Sequence, residues 1–153
     1  MTRITRLNPV GTGGGGGSTN QESTYIITKV GSTITATPRA GTSFSLYTGT
    51  DASTVIQAAI DALTPSGGSG SGGGKIHICS GDYGLSTQLN IVGWEGIVAS
   101  NSQPYSQLII EGDGMSTYLY QTNSGQNVFK FNNCANIVLR YMKLYTGTNA
   151  RSC

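Results

Sequence analysis

From residue 75 onward the chain is written in short segments, KIHIC, LSTQLNIV, QLIIEG, TYLYQ, NVFKF and NIVLRYMKL, whose apolar residues alternate with polar ones or form brief apolar runs. A period of two is that of a strand burying one face, and the Gly, Asn, Asp and Ser between the segments punctuate it. The spacing leaves no room for helices between strands, so the region predicts all-β structure. Between the last two segments, NNCAN is the Asn-rich kind of corner that tolerates left-handed backbone conformations. It suits one wall of a coil rather than a hairpin sheet. Just upstream the period changes, because in GTDASTVIQAAIDAL the residues Val55, Ile56, Ala59, Ile60 and Leu63 recur at helical spacing. A short amphipathic helix is predicted, with Asp51, Ser53 or Thr54 as N-terminal acceptor, a Thr54/Gln57 capping-box spacing, and Pro65 as its stop.

Further upstream, TYIITKVGSTITATPRAG carries β-branched residues on both sides of Gly31-Ser32, a pair suited to a type II′ turn. A hairpin over about 24 to 37 follows, which must lie on something larger, the domain that follows or a neighbouring copy. Residues 11 to 20, GTGGGGGSTN, cannot pack a core because glycine loses the most backbone entropy on ordering, and they are expected to form a flexible linker. That isolates residues 1 to 10, where Ile4, Leu7 and Val10 recur at a spacing of three with Arg3 and Arg6 between them, as an attachment segment. A second glycine-rich stretch, SGGSGSGGG at 66 to 74, precedes Lys75 as a phosphate-binding loop would. Ser69 and Ile76 stand where that motif needs Gly and Ser or Thr, so a surface loop is expected. The chain thus divides into 1–20, 21–48 and 49–153.

Of 153 residues 23 are Gly and 10% are charged, with a net charge of +2. So small and scattered a charge gives no footprint for nucleic acid or an anionic membrane, and neither is expected as a partner. No apolar run approaches the roughly 18 residues of a membrane span, and the N-terminus lacks the apolar core of a secretory signal. Cys79, Cys134 and Cys153 are widely spaced and unpaired by any CxxC. The first two read as buried apolar residues, and neither a metal nor a cofactor is expected.

Candidate chemistry is thin. The β region supplies Asp82, Glu95, Glu111 and Asp113, of which Glu111 with Asp113 is the best pair, but Asp82 and Asp113 adjoin glycine and read first as turn residues. No catalytic residue is assigned. His77, the one histidine, alternates with Lys75 and Cys79. Two residues apart on one strand, its side chain and that of Cys79 stand about 7 Å apart, too far for direct proton transfer, and no third group is in view to orient them. Trp94, Tyr105, Tyr118, Tyr120, Tyr141 and Tyr145 have faces able to stack on sugar rings, with Trp94 and Tyr105 the first candidates for glycan contact.

Taken in order, Gly49-Thr50-Asp51-Ala52, the helix VIQAAIDAL, GGGKIHICSGDY, LNI, LIIEGDGMST and VFKFNNCANIVLRYMKL make residues 49 to 147 resemble a known family. This is the N-terminal part of right-handed parallel β-helix, or pectate-lyase-like, domains of phage and archaeal-virus tailspikes and of polysaccharide-degrading enzymes. The resemblance implies that Ile56, Ile60 and Leu63 cover the first coil. Ile76, Ile78, Leu89, Ile91, Leu108, Ile110, Val128, Ile137 and Leu139 would then point inward along successive strands. It also implies a virion structural protein. Residues 1 to 20 would attach a homotrimeric tailspike or tail fibre to other tail or baseplate proteins, and distal regions would meet a host surface glycan. Two alternatives accompany it: a polysaccharide lyase or glycoside hydrolase with its active site in later turns, and a cellular surface adhesion protein. Residues 75 to 153 supply about three turns, so the polypeptide is expected to continue past Cys153.

Overall fold

The computed structural model describes residues 23–64, 73–94 and 107–146. The attachment segment with Ile4, Leu7 and Val10, the linker, and also Glu95, Tyr105 and Cys153 lie outside the described residues. The described residues are mostly β, with one α-helix among them and sheets that are largely parallel.

The hairpin forms where the β-branched runs predict it: β1 (Tyr25–Val30) and β2 (Thr33–Pro38) pair antiparallel about Gly31, whose φ of 60° is the left-handed value a tight turn needs. A short β3 (Tyr47–Gly49) extends it. The helix α1 spans Ala52–Leu63 and buries Val55, Ile56, Ala59, Ile60 and Leu63, the stripe its spacing predicts. Its cap is Asp51, whose carboxylate accepts from the Thr54 N–H at 3.1 Å. The Thr54/Gln57 box does not form, because the helix begins three residues earlier and Thr54 lies within its first turn.

Eight further strands follow: β4 (Gly74–Ile78), β5 (Gly81–Leu85), β6 (Leu89–Val92), β7 (Leu108–Gly112), β8 (Thr117–Gln121), β9 (Phe129–Asn132), β10 (Ile137–Arg140) and β11 (Lys143–Tyr145). They recur as triplets. β4, β7 and β10 stack in parallel, as do β5, β8 and β11, while β6 pairs with β9. In-register stacking sets like residues above like: Ile76 beside Ile110 and Ile110 beside Leu139, Tyr83 beside Leu119 and Leu119 beside Leu144, Leu89 beside Phe129. Ile76, Ile78, Tyr83, Leu85, Leu89, Ile91, Leu108, Ile110 and Leu119 are each fully buried in one continuous core. At about 1.5–3 kcal/mol per large apolar side chain, these columns dominate the stabilisation. Ile137 and Leu139, expected to point inward, are half-buried and pack on the core margin.

The outer edge of the first triplet would expose unpaired backbone groups, and each of its three sides is covered differently. On the first, β1 adds in parallel to β4, Tyr25 opposite Ile76, so the hairpin joins a six-stranded sheet in the order β10-β7-β4-β1-β2-β3. On the second, the Lys29 ammonium donates to the Asp82 carbonyl of β5. On the third, helix side chains stand in for a strand. Gln57 accepts from the Asn90 N–H at 2.8 Å and donates to its carbonyl at 2.9 Å, and Ser53 does the same at Thr87 at 3.0 and 3.1 Å.

Asp82 is a strand residue of β5 opposite Tyr118, so its SGDYG context is extended rather than a turn. Gly81 begins that strand and Tyr83 fills the core beneath it. Cys79 and Cys134 are free and half-buried rather than buried, because each lies at a corner next to a strand end. The corner reading of NNCAN holds: Asn133 and Asn136 have φ of 52° and 58°.

Candidate functional site

Three surface features collect the chain's chemistry, and strand register builds each. On β4 the outward residues are Lys75 and His77, and Cys79 continues their alternation. Register sets His77 beside Glu111 of β7, and Glu111 beside Arg140 of β10, so one charged row crosses the sheet. Glu111 is its hub. Its Oε1 lies 3.0 Å from Lys75 Nζ and 3.5 Å from His77 Nδ1, and its Oε2 accepts from Arg140 Nε and Nη2 at 2.9 and 2.7 Å. Burial opposes its ionisation, but the hydrogen bonds and charges of Lys75 and Arg140 outweigh burial and hold the carboxyl below its ordinary range.

Asp113 stands at the corner after β7, against the corner after β4. Its Oδ2 accepts from Ser80 N at 2.8 Å and Ser80 Oγ at 3.1 Å, while its Oδ1 lies 3.0 Å from His77 Nε2. The Ser80 N–H, with lesser help from the Ser80 hydroxyl and His77, lowers its carboxyl below the ordinary value. Cys79 closes the group: one ligand atom from each of His77, Cys79 and Asp113 lies within 4.8 Å of the others. Their side chains therefore converge more than strand spacing alone predicts, and Asp113 is the third group that the sequence left out of view. Burial, then the Asp113 charge, pushes the Cys79 thiol up, so this is a resting thiol and not an activated thiolate nucleophile. The donors N, S and O make this the described cluster able to hold a metal ion.

The second feature lies on the sheet of β5, β8 and β11. Tyr118 and Tyr120 stack with ring centroids 5.3 Å apart, Tyr145 tilts against Tyr118 at 6.4 Å, and Lys143 Nζ sits 4.5 Å from the Tyr118 centroid. Gly84 admits this arrangement, because a Cβ there would stand 2.9 Å from the Tyr120 hydroxyl. Trp94 is not part of it: the ring is 1% exposed in the core and offers no open face to a sugar. Trp94 instead follows β6, and its carbonyl accepts from Ala135 N at 2.7 Å.

The third is an apolar cleft of about 510 Å³ beside β9, lined by Val128, Phe129, Phe131, Leu139 and Leu144 among others. It opens where, among the described residues, no strand stacks on the outer side of β9.

Sequence reading missed Arg140 and Ser80 entirely. Parity along the strands marks Lys75, His77, Glu111 and Arg140 as outward, but only the stacking register brings them into one row. No helix among the described residues is long and apolar enough to cross a membrane. Comparison with known proteins finds no matching family model, no similar curated protein and no similar solved structure.

Proposed function

We propose that the chain is the N-terminal attachment region of a viral tailspike or tail fibre, a virion structural protein whose fold is a right-handed parallel β-helix. The observation that carries this reading is the stack itself. Successive strand triplets pair in parallel and in register, one end is closed by α1 and the hairpin, and the other presents apolar side chains. A parallel crossover is right-handed in nearly all proteins, which gives the coil its hand. Such a stack makes a stiff shaft whose length grows with each added turn, a form suited to holding binding sites away from an anchor. Further turns would settle on Phe131, Leu139 and Leu144. In this reading residues 1 to 20 bind tail or baseplate proteins, the shaft is a homotrimer, and distal turns meet host surface polysaccharide.

The exposed Tyr145, beside the half-buried Tyr118 and Tyr120 and with Lys143, favours sugar contact on this part of the shaft as well, since an aromatic face packs on the apolar face of a sugar ring. The alternative enzyme, a lyase or hydrolase, places its acid and base in later turns. Glu111 and Asp113 are committed to Lys75, Arg140, Ser80 and His77, which leaves no free acid and base pair at that face.

Mass spectrometry of purified virus particles tests the assignment. The polypeptide is expected in the tail fraction, and deleting residues 1 to 20 is expected to abolish its incorporation. Particles that lack the polypeptide, or normal incorporation of the deletion variant, overturn the reading.

A further inference from the structure

The cluster at the corner of β4 and β7 brings nitrogen, sulfur and oxygen donors from two strand layers to one place. Both ring nitrogens of His77 face carboxylates: Nδ1 meets Glu111 Oε1 at 3.5 Å and Nε2 meets Asp113 Oδ1 at 3.0 Å. Cys79 adds a sulfur donor, and one ligand atom from each of the three residues lies within 4.8 Å of the others.

We propose that His77 Nε2, Cys79 Sγ and Asp113 Oδ1 are the three protein ligands of a zinc-class divalent ion, with Glu111 as the outer partner that fixes the histidine tautomer. Metal-bound histidines commonly donate their other N–H to a carboxylate, and Glu111 is placed for that task. Ser80 supplies the matching support on the other side. Its N–H and hydroxyl hold Asp113 Oδ2, so that Oδ1 is the oxygen turned inward, and the Ser80 hydroxyl is itself 3.1 Å from Ser116 Oγ.

Geometry and donor type agree with such an ion. Metal bonds of about 2.0–2.3 Å in a tetrahedron place ligands about 3.3–3.8 Å apart, so separations near the 4.8 Å limit close by roughly 1 Å while the 3.0 Å pair of His77 Nε2 and Asp113 Oδ1 opens slightly. Side-chain rotation supplies that, because all three groups are partly exposed while the β4 and β7 backbones are paired in register. A mixed nitrogen, thiolate and carboxylate set selects zinc or cobalt over calcium and magnesium, which take oxygen. The balance is simple. The ion displaces the Cys79 thiol proton, and any proton on Nε2, to solvent. The two charges of the ion are then met by one thiolate and one carboxylate. His77 and Cys79 belong to the first strand triplet and Asp113 to the second, so the ion staples one layer to the next. A tetrahedral ion held by three protein ligands would take water or a donor from another molecule as its fourth. This assignment stands whether or not the chain belongs to a virus particle.

Cobalt(II) is the probe, added to the full chain under reducing conditions. Expected are a thiolate-to-cobalt charge-transfer band and visible bands of a tetrahedral ion, both saturating at one ion per chain and both bleached by zinc. Cys79→Ser removes the charge-transfer band, Asp113→Asn weakens binding at least tenfold, and Glu111→Gln weakens it by about tenfold. Zinc also raises the thermal midpoint of the wild-type chain but not of the Cys79→Ser variant. X-ray absorption at the zinc edge of the wild-type chain checks the ligands without any substitution: one sulfur at about 2.3 Å with lighter atoms at about 2.0 Å. The proposal is overturned by the absence of saturable cobalt binding, by a charge-transfer band that survives in Cys79→Ser, or by a zinc shell without sulfur.

Discussion

The first strand triplet and the last described strands are written in the same alternating pattern, yet among the described residues one end is sealed and the other is open. Ile76 and Ile78 of β4, and Ile56 and Ile60 of the helix above them, are at most 1% exposed. Phe131 and Leu144, at equivalent inward positions of the last layers, are 48% and 44% exposed. The difference is not one of hydrophobicity. An inward side chain in a stack is buried half by its own layer and half by the next, so burial at an end depends on what covers it. At the first triplet β1, Lys29, Ser53 and Gln57 cover the backbone edge, and α1 covers the side chains.

That contrast is broken most directly by truncating one residue at each end. Ile76→Ala, inside the sealed layer, is expected to cost about 2–5 kcal/mol, whereas Leu144→Ala at the open layer costs under about 1.5 kcal/mol. Urea unfolding of the two variants measures both, and equal costs would mean that the open end is covered in solution. Between the ends, Gly112 lies where a Cβ would meet the Tyr141 carbonyl oxygen at 2.6 Å and Thr117 Cβ at 2.7 Å. Gly112→Ala is expected to cost about 1–3 kcal/mol by forcing the corner of the last layer away from the one beneath, read as a lowered denaturation midpoint. At the sealed end, Asp51 accepts from the Thr54 N–H and hydroxyl at 3.1 and 2.6 Å, and from Ser86 Oγ at 2.9 Å. Asp51→Ala should remove about 1 kcal/mol, and loss of helical circular dichroism before β signal on heating would show the cap releasing first.

Acid provides the mildest test. Asp51, Glu111 and Asp113 all have carboxyls held below their ordinary values of 3.8, 4.5 and 3.8. The unfolded chain therefore binds more protons than the folded one in acid. The stability these groups contribute is present above about pH 4.5 and is lost as pH falls through their lower folded values. The thermal midpoint is expected to drop over that window, and to drop less in a Glu111→Gln variant. A midpoint flat from pH 6 to pH 2.5 would show that the row joining the layers adds nothing to stability.

Much of this architecture was legible in the chain. The period change at residue 52, the β-branched runs about Gly31 and the Asn-rich corner each specify local backbone geometry, and each element forms where its pattern lies. Harder to read were features whose cause is remote. The strand at Gly81–Leu85 is hidden by Gly-Asp punctuation, because Gly81 starts a strand whose partner, β8, lies far along the chain. The capping box failed because the helix starts at Asp51 rather than Thr54, which leaves Gln57 to bond the edge of β6. Trp94, a first choice for sugar contact, is in the core, while Tyr118 and Tyr145 became neighbours through stacking.

The sequence by itself determined where helix and hairpin lie, much of the inward-facing apolar pattern, and which residue types are present for chemistry. These follow from period and backbone preference, which act over a few residues. Only the tertiary structure decided that His77, Cys79, Ser80, Glu111, Asp113 and Arg140 share one surface. That depends on the number of residues between strands that stack and on the register with which the later strands settle on the earlier ones. Hydrophobic columns such as Ile76, Ile110 and Leu139 set the register, and the polar row above them follows from the packing beneath.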